Sequence, residues 1–254
     1  MAGLWILGLL LLIAALPVLL VYLWFRSCTF PMPFYWFLLS LLAGACSLLI
    51  AALLQWLCSC TGAPRTFSPS DGMGAFLFTI FIRISLTEET GRVLALGLLF
   101  RLGRTRQGIP QPSLETGRRA SPESFGVATG LVAGLGFAFI ESASYGATDI
   151  MIALLRAFTA APLHGACGAR IGMGIRSYRQ TPYRALRHFL SALILHGMYN
   201  LMVISPGIPP IIPILIAFSS LLPALYLIIN KSCKSGFDGD TSAGGRPKTG
   251  RKSL

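Results

Sequence analysis

Hydrophobic and polar positions alternate in long blocks along this chain of 254 residues, apolar runs being separated by short connections rich in basic residues. A helix needs roughly 20 apolar residues to cross the hydrocarbon core of a bilayer. Seven stretches meet that length, near residues 4–25, 34–58, 73–100, 124–145, 150–175, 186–205 and 208–229. The pattern predicts an all-α, polytopic membrane helix bundle. The first run has no basic n-region and is too long for the apolar part of a signal peptide, so it is read as a retained span. The connection from Arg101 to Glu123 is rich in Pro, Gly, Ser and Arg, and the tail from Lys231 to Leu254 in Gly, Ser, Lys and Arg. Such segments cannot bury a core, and both are expected to be mobile or disordered. Residues 1–230 are therefore expected to form one transmembrane domain and residues 231–254 a basic cytoplasmic tail.

Composition sharpens this picture. With 54% hydrophobic and 12% charged residues, nothing in the chain reads as a soluble domain. The net charge of +12 does not point to nucleic acid, because the basic residues lie between apolar runs, where positive charge sets orientation. One set of connections holds Arg26, Arg101, Arg104, Arg106, Arg118, Arg119, Arg176, Arg179, Arg184 and Arg187, with six more basic residues in the tail; the other holds only Arg65. This asymmetry places the N-terminus outside and the C-terminus in the cytoplasm of a multi-pass protein, expected in the cell membrane. The six cysteines fit neither a disulfide framework nor a zinc motif. Cys28 and Cys233 fall near the cytoplasmic face, where palmitoylation is conceivable.

Ionisable residues inside the spans carry the chemistry. A charge at the bilayer centre costs about 2.5–3.5 kcal/mol on insertion scales, so a retained cluster marks a functional site. Glu88, Glu89 and Arg92 form such a cluster in the third span, and Arg92 can neutralise either carboxylate on its own helix. The adjacent glutamates point about 100° apart, leaving one to face a cavity. In the fourth span, Gly126, Gly130, Gly134, Ala138 and Ser142 form a stripe of small residues that admits a close neighbour, with Glu141 beside it. The fifth span aligns Arg156, Ala160, His164, Gly168 and Gly172, and Arg156 lies at a depth that suits an ion pair with Glu141. The sixth aligns His188, Ala192, His196 and Asn200, with His188 at the cytoplasmic interface.

At 1.5 Å per residue, Glu88 and His164 lie roughly 20 Å below the outer ends of their spans and His196 roughly 15 Å above its inner end, so their levels overlap. Glu141 lies higher and is expected to join only from the outer side or through water. A carboxylate beside two imidazoles in a partly dry cavity suits general-base activation of water. The histidines and Asn200 would hold the water or stabilise the oxyanion formed on an attacked amide carbonyl. No cofactor is predicted. Two histidines and a glutamate with an open position would also serve Zn²⁺, but no HExxH motif supports a dedicated metal site.

Four ordered motifs, Glu88-Glu89-Thr90-Gly91-Arg92, Gly134 to Glu141 (GLGFAFIE), Pro162-Leu163-His164 and His196-Gly197-Met198-Tyr199-Asn200, resemble those of the PrsW family of intramembrane proteases over roughly residues 73–205. That family is related to the CAAX prenyl proteases and to the APH-1 subunit of gamma-secretase. The resemblance implies Glu88 or Glu89 as the base, His164 and His196 as the other catalytic residues, and Glu141 and Asn200 as supporting ones. It also implies membrane-protein or peptide substrates, typified by first-step cleavage of an anti-sigma factor, and admits other membrane subunits as partners. The CAAX pattern is less well met: those enzymes keep an arginine one residue further from the glutamate pair, and Ala160 stands where they have phenylalanine. A non-catalytic scaffold of the APH-1 kind is the main alternative, disfavoured by the acid pair. A proton-coupled transporter would call for an inverted repeat, and none is visible.

Overall fold

The computed structural model describes residues 2–27, 30, 32–60, 72–106, 121–146, 150–178, 181–205 and 207–233. Among them every regular element is helical: α1 (Ala2–Ser27), α2 (Phe34–Cys60), α3 (Gly72–Phe78), a π-helical segment (Thr79–Leu86), α4 (Thr87–Arg106), α5 (Pro122–Gly146), α6 (Ile150–Ser177), α7 (Pro182–Ile204) and α8 (Ile211–Cys233). The third apolar run thus folds as α3, the π segment and α4 in unbroken succession. It continues to Arg106 rather than stopping near residue 100, and α8 reaches Cys233. Cys28, Arg65, residues 107–120 and the tail from residue 234, which carry the lipidation, orientation, loop and tail expectations, lie outside the described residues.

Four segments, Gly8–Ser27, Phe34–Cys60, Pro122–Tyr145 and Ile211–Asn230, are long and apolar enough to cross a membrane. Of the other three long runs, the third carries Glu88, Glu89 and Arg92, α6 carries Arg156, His164 and Arg170, and α7 carries Arg184, Arg187 and His196. These ionisable groups lower the mean hydropathy of helices whose length still suits a crossing.

The packing centres on α5, which contacts α1, α2, α6 and α8. Its Val127, Ala128, Leu131, Val132, Ala133 and Phe137 are all buried. The small-residue rows read from the sequence face each other: Gly126 lies against Gly172, Gly130 against Gly168, and Gly134 against His164 and Gly165. A Cβ added at Gly130 would stand 2.7 Å from the carbonyl carbon of Gly168, so only glycine lets these backbones approach so closely. On the other side of α5, a Cβ at Gly136 would stand 2.9 Å from the Cα of Leu41 in α2. Trp36 Nε1 of α2 donates to Thr129 Oγ1 of α5 at 3.0 Å, satisfying two buried polar atoms. In lipid, where association gains little from the hydrophobic effect, such close backbone contact is what holds helices together.

Replacing Gly130 by Val is therefore expected to destabilise the bundle by more than about 1–3 kcal/mol, the usual cost of overpacking where side chains alone must move. Gly97→Ala, where an added Cβ meets nothing within 4 Å, is expected to leave stability unchanged or slightly raised. Thermal unfolding of both variants in detergent, followed by size-exclusion fluorescence, checks the contrast.

Candidate active site

The site begins where the π segment passes into α4. A π-helix leaves its backbone bonds widely spaced, and neighbouring hydroxyls reinforce them here. Ser85 Oγ donates to Ile80 O at 2.9 Å, and Thr87 Oγ1 lies 2.6 Å from Arg83 O and 2.9 Å from Ile84 O. The first turn of α4 then presents Glu88 and Glu89 to the interior, and both are buried together with Arg92. In the next turn of this helix, Gly91 lets the backbone of α2 approach at Ser47 and Ala51.

Arg92 is fully buried and is the hub of the cluster. Its Nη1 donates to Glu89 Oε1 in a short ion pair, and its Nη2 donates to His164 Nδ1 at 3.2 Å. The guanidinium also lies over the Phe137 ring, 4.8 Å from its centroid. His196 Nδ1 lies 2.8 Å from the same Glu89 Oε1, while its Nε2 lies 3.6 Å from Glu88 Oε2. That Glu88 oxygen is buried and has no hydrogen-bond partner. The two imidazoles meet edge to face with ring centroids 5.1 Å apart.

His164 reaches outward as well. Its Nε2 lies 2.8 Å from Glu141 Oε2, and Arg156 Nη2 lies 2.6 Å from the same oxygen. The Glu141–Arg156 pairing is the one suggested by their depths. The contact between Glu141 and His164 takes the outer-side route their depths leave open, and it closes the height between them without a water. The cause lies in side-chain direction. Side chains lean toward the N-terminus of their own helix, and α5 and α6 run antiparallel, so Glu141 leans inward while His164 leans outward and the two converge.

Of the residues singled out from the sequence, Glu88, Glu89, Arg92, Glu141, Arg156, His164 and His196 are thus linked by contacts of 3.6 Å or less. Asn200, one turn beyond His196, is partly buried and takes no part in these contacts. His188 is partly buried near the start of α7. Two aromatic residues were missed. Phe137 packs beneath Arg92 and against His164, with ring centroids 4.8 Å apart, and Tyr145 lies beneath the Arg156 guanidinium at 4.3 Å. Their placement four residues before and four after Glu141, on one helical row, is the signal that would have found them.

One potential ligand atom from each of Glu88, His164 and His196 lies within 4.8 Å of the others, a separation that a single metal ion can bridge. The donor set, two imidazoles and a carboxylate with a bare buried oxygen, fits a divalent metal of the zinc type. Among the described residues this is the one such group of histidine, cysteine and acidic side chains.

Comparison with curated proteins and with solved structures gave no match. A protein-family model described as PrsW family intramembrane metalloprotease, in contrast, matches residues 32–228, which include every site residue named above. The chain accordingly belongs to the PrsW family and is an intramembrane protease.

Proposed function

We propose that the chain is an endopeptidase that cleaves membrane-protein substrates and that Glu88 is the group that activates water. The observation that carries this assignment is the bare, buried Oε2 of Glu88, 3.6 Å from His196 Nε2. Glu89 also has a bare, buried Oε2, but its Oε1 accepts from both Arg92 and His196, which commits that carboxylate to the ion pair. An ionised carboxylate only accepts, so His196 carries a proton on Nδ1, and as a neutral ring it turns the Nε2 lone pair toward Glu88. A water between the two would be held by His196 Nε2 and would lose a proton to Glu88 as its oxygen attacks the scissile carbonyl carbon. Return of that proton to the leaving nitrogen as the C–N bond breaks restores Glu88.

A second reading is favoured by the family description and by the convergence of Glu88, His164 and His196. In it those three residues hold a divalent metal, which when bound would polarise the substrate carbonyl and acidify a water. Glu89 would then orient His196 from behind, as carboxylates commonly do for metal-binding histidines.

The remaining elements are assigned with this function. Residues 1–230 would form the protease domain, crossing the membrane seven times with the N-terminus outside, in the cell membrane, and residues 231–254 a basic cytoplasmic tail. Regulated cleavage of the anti-sigma-factor type is the substrate class the family resemblance implies. An exclusively scaffolding role of the APH-1 kind would leave an unpartnered Glu88 oxygen among buried groups without use, at a cost of about 1–3 kcal/mol or more.

Three outcomes follow. Glu88→Gln is expected to lower cleavage of a membrane substrate by purified protein about 10²- to 10⁴-fold, the usual weight of a positioned base, while the protein stays folded. Unchanged activity in that variant removes the assignment. Chelator treatment distinguishes the two readings: cleavage that stops and returns on adding zinc, with metal present in the purified protein, identifies the metal form, whereas cleavage that persists identifies the carboxylate acting alone. For orientation, a cysteine-reactive reagent that cannot cross membranes is expected to label a single cysteine placed at residue 3 in whole cells, with native cysteines removed.

A further inference from the structure

The carboxylate that holds His196 has a counterpart on the other side of the site. Arg92 donates to Glu89, and Glu89 accepts from His196 through Nδ1. Arg156 Nη2 lies 2.6 Å from Glu141 Oε2, and His164 Nε2 lies 2.8 Å from the same oxygen. Each histidine is therefore backed by a glutamate that is itself held by an arginine. The first arginine is fixed over Phe137 and the second over Tyr145. The two arrangements differ in which ring nitrogen they engage.

That difference determines the proton positions. A guanidinium only donates, so His164 Nδ1, which faces Arg92 Nη2 at 3.2 Å, must be bare. Its proton then sits on Nε2, 2.8 Å from Glu141 Oε2. His196 is the reverse at Nδ1, which carries a proton toward Glu89, and as a neutral ring it has its lone pair on Nε2 toward Glu88. We infer that Glu141 and Arg156 are positioning residues that lock His164 in its Nε2–H tautomer, so that the two site histidines are held in opposite tautomers. Neither residue touches Glu88. They act by fixing the ring that packs edge to face on His196, at a centroid distance of 5.1 Å.

The inference rests on the first reading above, in which His164 holds no metal, because a ring whose two nitrogens face Arg92 and Glu141 has no lone pair left for one; the tautomers and the catalytic role of Glu88 are nevertheless read out separately. The 254 residues contain three histidines, which makes a ¹⁵N-histidine-labelled sample in detergent assignable by single substitutions. Two-bond ¹H–¹⁵N correlation spectra report which ring nitrogen is protonated. Expected are a protonated Nε2 in His164 and a protonated Nδ1 in His196. Arg156→Gln is expected to abolish the single tautomer of His164 and leave that of His196 intact, and Arg156→Lys to restore it. With a membrane-protein substrate, Arg156→Gln is expected to lower kcat about 10- to 100-fold, as losses behind a functional histidine commonly do, with KM unchanged and most of kcat regained in Arg156→Lys.

Both histidines found in the same tautomer in the wild-type protein would overturn the inference, even if no variant folds. So would a His164 tautomer that survives Arg156→Gln and Glu141→Leu. Opposite tautomers in a protein whose cleavage is indifferent to Glu88→Gln would retain this inference and remove the functional assignment instead.

Discussion

The closeness of α5 and α6 is the constraint on which the site depends. Glycine meets glycine where these helices cross at residues 130 and 168, and no side chain separates their backbones. Membrane helices gain no hydrophobic stabilisation from pairing in lipid, so contact at this range supplies the dispersion attraction that replaces it. It also sets a distance. Glu141 and His164 are borne by antiparallel helices and lean toward one another, and they reach hydrogen-bonding range because the backbones between them have nothing to hold them apart. A pair of helices packed on leucine would sit farther apart and leave an acid and an imidazole stranded in an apolar medium.

Arg92 plays the corresponding part on the other side. A fully buried guanidinium is tolerable only when its donors find acceptors, and two of its nitrogens do so, on Glu89 and His164. The same residue thus links α4 to α6 and, through Glu89, to His196 on α7. Three helices are held in one hydrogen-bonded arrangement, and the aromatic face of Phe137 from α5 closes it. The π segment leads directly into the acid pair, and π turns of this kind occur frequently beside functional groups because they re-aim the residues that follow.

Much of this could be read in the sequence. The apolar runs gave the helices to within a few residues, because a bilayer-length block of Leu, Ile, Phe and Ala leaves little alternative to a helix. The rows at Gly126–Ser142 and Arg156–Gly172 were legible as close-packing faces, since four-residue spacing alone defines them. Whether Glu88 or Glu89 pairs with Arg92 was not legible, because i,i+3 and i,i+4 separations serve equally well on one helix. What decides it is His196, more than 100 residues away, which engages Glu89. The reach of Glu141 was also hidden, since counting residues along an axis ignores the direction of long side chains. The π segment has no compositional mark, and the aromatic seats of the two arginines follow from tertiary placement.

The assembled site has a simple electrical consequence. Glu88, Glu89 and Glu141 supply three carboxylates, while Arg92 and Arg156 supply two guanidiniums. With both histidines neutral, the formal sum is one negative charge, and pairing assigns it to Glu88. A bilayer interior does not tolerate an isolated anion, so this carboxylate must share its surroundings with a proton or a cation at every stage. Of the five charged groups of the site, Glu88 is thus the one whose charge no guanidinium matches, so its companion is a species that comes and goes.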